Sequence, residues 1–145
     1  MSPSSQIQVL LVDDDELFCA NFTDELESHS EGIDFGVELT DHVNGKHGGR
    51  DLYICTQKVD NIDECLAQVS HIREEEPTAP IFVVADIKDF SFMKKLMKLN
   101  VSGYIDKQNL DLSCLLDEAK IIYETREQVS MMVKKLNRLE SMDRV

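Results

Sequence analysis

Three consecutive carboxylates, Asp13, Asp14 and Asp15, follow the apolar run Ile7-Gln8-Val9-Leu10-Leu11-Val12. Acids crowded at one strand end concentrate negative charge there. Lys107 follows a second short segment, Tyr104-Ile105-Asp106. At the same end of a sheet its ammonium would meet an anionic group or neutralise the acids directly. Two further runs end on residues that bring much less chemistry: Leu52-Tyr53-Ile54-Cys55 on Thr56, and Ile81-Phe82-Val83-Val84 on Ala85. A threonine hydroxyl with no base beside it is a poor nucleophile.

Other chemistries find no support. Of His29, His42, His47 and His71, only His42 and His47 are close, in a Gly-rich stretch with no cysteine or paired acid, so zinc is not expected. Cys19, Cys55, Cys65 and Cys114 have no C-x-x-C spacing and each falls in an apolar segment. They read as small buried hydrophobes in a reducing compartment. The acidic turn Asp13-Asp14-Asp15-Glu16 would repel a nucleotide phosphate. No Gly-x-Ser-x-Gly, Walker or Rossmann pattern occurs, so an enzyme is not expected.

The elements that must position these residues alternate strand and helix. Ile7 to Val12 reads as a strand covered on both faces. Leu17, Phe18, Phe22 and Leu26 recur at helical spacing, with Asp13 to Asp15 available as a cap. Ile33, Phe35, Val37 and Leu39 alternate with polar residues or glycine, which predicts an edge strand. Leu52 to Cys55 is a short buried strand, and Ile62, Leu66, Val69 and Ile72 form a helical stripe. Pro77 and Pro80 precede the central strand Ile81 to Ala85. A helix from about Asp89 to Leu99 leads to a short strand at Gly103 to Ile105, and a long helix runs from Asp111 to about Met142. Five such alternations predict a doubly wound parallel sheet with its crevice outside the strand C-termini. The stretch 41–50, with Gly45, Gly48 and Gly49, predicts a second crossover helix that is shortened or lost.

The 145 residues suffice for one domain, and 30% charged with 42% hydrophobic residues is the balance of a globular chain. A net charge of −13 disfavours nucleic acid and anionic membrane as partners. The short polar start, Met1 to Gln6, has no signal-peptide pattern, and no apolar run reaches membrane-spanning length, so cytoplasm is the expected location.

Taken jointly, these segments resemble the receiver domains of bacterial two-component response regulators. Leu10 to Asp15 is similar to the family's first strand with its acidic pair. Asp51 to Thr56 has the frame of the acceptor strand, Pro80 to Ala85 that of the fourth, and Leu96 to Lys107 that of the closing segment. The resemblance covers roughly residues 6–120 and implies a flavodoxin-like sheet in the order 2-1-3-4-5. It implies metal-binding roles for Asp13 and Asp14, a phosphoryl contact for Lys107 and an aromatic switch at Tyr104. Thr56 stands where the family has its phosphorylated aspartate, Ala85 where it has a Thr or Ser, and Gln108 where a proline usually follows the lysine. Asp51 lies at the wrong end of the strand and Asp60 too far into the following loop to replace the acceptor. Receiver phosphorylation needs a carboxylate nucleophile and a divalent cation. The resemblance therefore implies a degenerate pseudo-receiver that holds Mg2+ weakly or not at all, with no other cofactor. Asp13, Asp14 and Lys107 then either lock one conformation or remain as structural polar groups.

Two surfaces are candidates for protein contacts. Phe92, Met93 and Met97 lie in the helix from Asp89 to Leu99 with Lys94, Lys95 and Lys98, and either form a contact face or are buried under snorkelling lysines. In the last helix Ala119, Ile122, Val129, Val133 and Leu136 fall on an a/d frame, interrupted by Arg126 and Glu140 and flanked by Met132 and Leu139. A receiver-like domain over 1–118 is thus expected to continue, through a helix over 111–145, into a short coiled coil and a homodimer. The plainer reading packs the helix to about Tyr123 and leaves the rest in solvent. The expected function is phosphorylation-independent signalling through protein contacts. The alternatives are a working phosphoacceptor in another register, or the receiver part of a larger regulator such as an RNA-binding antiterminator.

Overall fold

The computed structural model describes residues 6–13, 15–30, 32–41, 49–56, 62–85 and 90–143. The strands are β1 (Ile7–Val12), β2 (Phe35–Thr40), β3 (Leu52–Thr56), β4 (Ile81–Ala85) and β5 (Gly103–Asp106). The helices are α1 (Glu16–Ser28), α2 (Ile62–Glu75), α3 (Phe90–Lys98) and α4 (Ser113–Asp143). All neighbouring strands are parallel, in the order β2-β1-β3-β4-β5. The expected sheet is therefore the observed one. Most of the Gly-rich stretch 41–50 lies outside the described residues.

Side-chain alternation divides the core between the two faces of the sheet. Ile7, Val9 and Leu11 of β1 join Phe22, Leu26, Leu115 and Ala119 on the α1/α4 face. Leu10 and Val12 join Tyr53, Val69, Ile72, Phe92 and Leu96 on the α2/α3 face. The continuous apolar runs of β1, β3 and β4 follow from cover on both sides. β2 lies at the edge, and its Leu39 is 54% exposed. The start of β5 packs so closely that a Cβ on Gly103 would stand 2.9 Å from the Phe82 ring.

Several sequence expectations need correcting. Leu17 points to solvent, and Cys19 takes its place in the buried stripe of α1. Cys114 is exposed, whereas Cys19, Cys55 and Cys65 are buried as expected. Phe92, expected on a contact face, is 1% exposed and belongs to the core, because it and Leu96 turn toward the sheet while Phe90 and Met97 turn outward. Met93 is partly buried against the same core. Ile122, expected in a coiled-coil seam, packs against the α1/α4-face core. Arg126, counted as a flaw in that seam, forms an ion pair with Asp51 and donates to the Gln6 carbonyl at 3.0 Å.

Arg73 closes the turns at the N-terminal end of β4 and β5. Its guanidinium donates to the carbonyls of Leu99, Glu76, Pro77, Ala79 and Asn100 at 2.8–3.1 Å. Desolvation pushes its pKa down. Asn100, with φ 57°, reverses the chain after α3 in the left-handed region that asparagine tolerates. α4 is 31 residues long, about 46 Å at the usual helical rise, and passes residue 118 without a break. Its first turn is held by Asp111, whose carboxylate accepts from the Ser113 amide at 3.0 Å. No helix among the described residues is long and apolar enough to cross a membrane.

Candidate functional site

The C-terminal ends of β1, β3, β4 and β5 bring Asp13, Thr56, Ala85 and Lys107 to one edge of the sheet. Asp13 continues the β1–β2 ladder, its amide donating to the Thr40 carbonyl at 2.9 Å. Its side chain is 6% exposed, and Oδ1 accepts from the Asp15 amide at 3.1 Å. Oδ2 is buried and accepts no hydrogen bond. Asp15 caps α1, accepting from the Phe18 amide at 3.1 Å. The expected role of Asp14 falls outside the described residues.

Thr56 ends β3, 6% exposed, and its hydroxyl donates to the Val12 carbonyl across the strand pair at 3.2 Å. The threonine satisfies its own polar group inside the sheet, and that proton is committed to the backbone. Ala85 ends β4, is 1% exposed and offers only a methyl group. Its carbonyl accepts from the Lys107 amide at 3.0 Å, which sets the lysine at the end of β5. The Lys107 ammonium stands 5.2 Å above the Phe18 ring, within cation–π range. Tyr104 packs against the α2/α3-face core, and desolvation pushes its hydroxyl pKa up.

A cavity of about 10 Å³ beside Thr56 is lined by Val12, Asp13, Asp41, Glu64, Cys65 and Gln68. That is room for about one water. Burial pushes the neighbouring Cys55 thiol well up, and Cys65 up to about 12, so neither forms a reactive thiolate near neutral pH. Sequence reasoning took both as packing residues without placing them beside Thr56. The only available signal was that Cys55 adjoins Thr56 in the chain.

The sequence resemblance implies a divalent cation, and the orphaned Oδ2 of Asp13 is a ligand atom such an ion could use. Among the described residues, however, no three His, Cys, Asp or Glu side chains come together as a metal site. Asp13, Asp41 and Glu64 line the cavity beside Thr56 but are not gathered into the close oxygen shell that Mg2+ demands. The described donors do not fit the ion.

The opposite edge of the sheet carries a different feature. A groove of about 610 Å³ runs between the strand starts and α4, lined by Gln6, Gln8, Asp51, Tyr123, Arg126 and Val129.

No family model matches the chain, and no curated protein matches it. Solved structures do. A CheY-like response-regulator receiver domain protein from Methanospirillum hungatei is 19% identical, with a TM-score of 0.65, covering 86% of this chain and 98% of its own. The non-phosphorylated HemR receiver domain of Leptospira biflexa is 16% identical, with a TM-score of 0.61 over 80% of this chain and 93% of its own. A fusion carrying amino acids 181–211 of the yeast Spc42 trimeric coiled coil is 14% identical, with a TM-score of 0.63 over 96% of this chain and 90% of its own. The strand order, the parallel register and these likenesses agree: the chain has the CheY-like receiver fold, with a long C-terminal helix.

Proposed function

We propose that this receiver-fold domain works in bacterial signal transduction as a phosphorylation-independent module, acting through protein contacts and self-association. One observation carries the reading: the residue ending β3 is a buried threonine whose hydroxyl donates to the Val12 carbonyl at 3.2 Å. No carboxylate is offered where an acyl phosphate would have to form, and Ala85 has no hydroxyl to hold a phosphoryl oxygen. Lys107, set against Phe18, holds the β5 end beside α1 without a phosphoryl group. The partner is a protein, in keeping with a net charge of −13 that disfavours nucleic acid and anionic lipid.

Two surfaces are available for such contacts. On α3, Met97 is 68% exposed beside Lys94, Lys95 and Lys98. On α4, Val129, Val133 and Leu136 are 53%, 49% and 59% exposed. Incubation with a small acyl phosphate and Mg2+, followed by intact-mass measurement, tests the central claim. The expected result is an unmodified mass; a base-labile phosphate adduct would overturn the proposal.

A further inference from the structure

The apolar side chains of α4 spread from the body-facing line to a neighbouring one along its outer half. Leu115, Ala119, Ile122 and Arg126 face the body: the first two are fully buried, Ile122 packs on the core and Arg126 is tied to Asp51 and the Gln6 carbonyl. Beyond that tie, Val129, Met132, Leu136 and Leu139 follow at three- and four-residue steps, 53%, 63%, 59% and 50% exposed. At 3.6 residues per turn Val129 and Leu136 stand roughly 50–70° from the first line, and Met132 and Leu139 roughly 110–130° from it. Val133 stays on the first line, 49% exposed. Arg126 and Glu140, which interrupt the a/d frame running through Val133, are both off the second line. Four consecutive large apolar residues at heptad spacing form a seam, and solvent is not a stable partner for it.

We infer that Val129, Met132, Leu136 and Leu139 form the seam of a parallel homodimer, its second strand being α4 of another copy of this chain. The inference rests on the protein-contact function proposed above. Charge selects the occupant and the direction. With Val129 and Leu136 at a, and Met132 and Leu139 at d, Lys135 falls at g and Glu140 at the following e. Parallel pairing sets each Lys135 beside the partner's Glu140, once on each side of the seam. Antiparallel pairing centred on the same four residues would bring the two Lys135 side chains together, which costs free energy. The seam begins three residues after Arg126, so the body fixes the helix up to the point where pairing starts. Val129 borders the groove beside the strand starts, and Met132, Leu136 and Leu139 carry the seam onward along the exposed outer half.

Sedimentation equilibrium on the full chain, from micromolar to millimolar, tests this. The mass should rise with concentration from 16.5 kDa toward twice that value. Met132→Glu and Leu139→Glu should each weaken association tenfold or more, while Met131→Glu, at an exposed position off the seam, should leave it unchanged. Lys135→Glu should weaken association, and combining it with Glu140→Lys should restore it. Circular dichroism of each variant should match the parent, since every substituted side chain is exposed. A monomer at all concentrations would overturn the seam, as would a dimer indifferent to Met132→Glu and Leu139→Glu. Tighter association of Lys135→Glu alone would overturn the parallel direction. None of these outcomes bears on whether a phosphodonor labels the chain, so failure of the seam and failure of the phosphorylation-independent reading are separable.

Discussion

The two ends of the sheet are held in opposite ways. At the strand N-termini, charged side chains are well satisfied: Arg73 serves five carbonyls around β4 and β5, and Arg126 joins Asp51 and the Gln6 carbonyl at the starts of β3 and β1. Asp51 also accepts from the Gln8 amide at 2.8 Å. At the C-termini, Asp13 keeps a buried oxygen without a hydrogen bond, and Thr56 and Ala85 make no demand on a ligand. One end is a set of completed polar networks, of the kind that fixes a backbone. The other leaves one buried carboxylate oxygen unpaired among the described residues.

The largest expected effect breaks the first end. Arg73→Ala should lower stability by about 2–3 kcal/mol, because five part-buried or exposed carbonyls lose a charged donor together. Thermal and urea unfolding would measure it, and Arg73→Lys should recover less than half, since one ammonium cannot span five acceptors. Next, Thr56→Asp should cost about 1–2 kcal/mol without metal, by setting a second carboxylate near buried Asp13. Mg2+ should raise the melting temperature of that variant and leave the parent unchanged. A parent stabilised equally by Mg2+ would erase the contrast between the ends.

Arg126→Gln should be milder, about 1 kcal/mol, because the ion pair with Asp51 is only partly buried. Amide exchange in the outer half of α4 should rise with it. The smallest effect concerns Asp111, whose carboxyl is held below its ordinary value by the Ser113 hydroxyl and then the Ser113 amide. Depressed in the folded state, it contributes stability that is present above the unfolded pKa and lost as pH falls through the folded one. An Asp111→Asn variant should show a slightly shallower loss of stability in acid titration followed by circular dichroism.

Features set by backbone periodicity were legible before any coordinates. The continuous runs of β1, β3 and β4, and the alternation of β2, lead directly to the sheet and to which ends of the strands meet. Strand spacing set which ends meet, and the family resemblance singled out Asp13, Thr56, Ala85 and Lys107 at them. What escaped depends on which of two helical faces a residue takes, or on long-range polar partners. Leu17 and Cys19 both suit an apolar stripe, and only packing against the sheet chooses Cys19. Phe92 and Met97 sit in one amphipathic turn with opposite outcomes. Arg73 looks like any surface arginine until five carbonyls converge on it. Arg126 looked like a defect in a seam because its acceptor, Asp51, is 75 residues away.

The Asp51–Arg126 tie has a mechanical consequence. It joins the projecting helix to β1 and β3, the two strands that flank each other inside the sheet, and not to an edge. A pull or twist on the outer half of α4 would therefore be passed to two inner strands of the sheet as well as to the core under the helix's first turns.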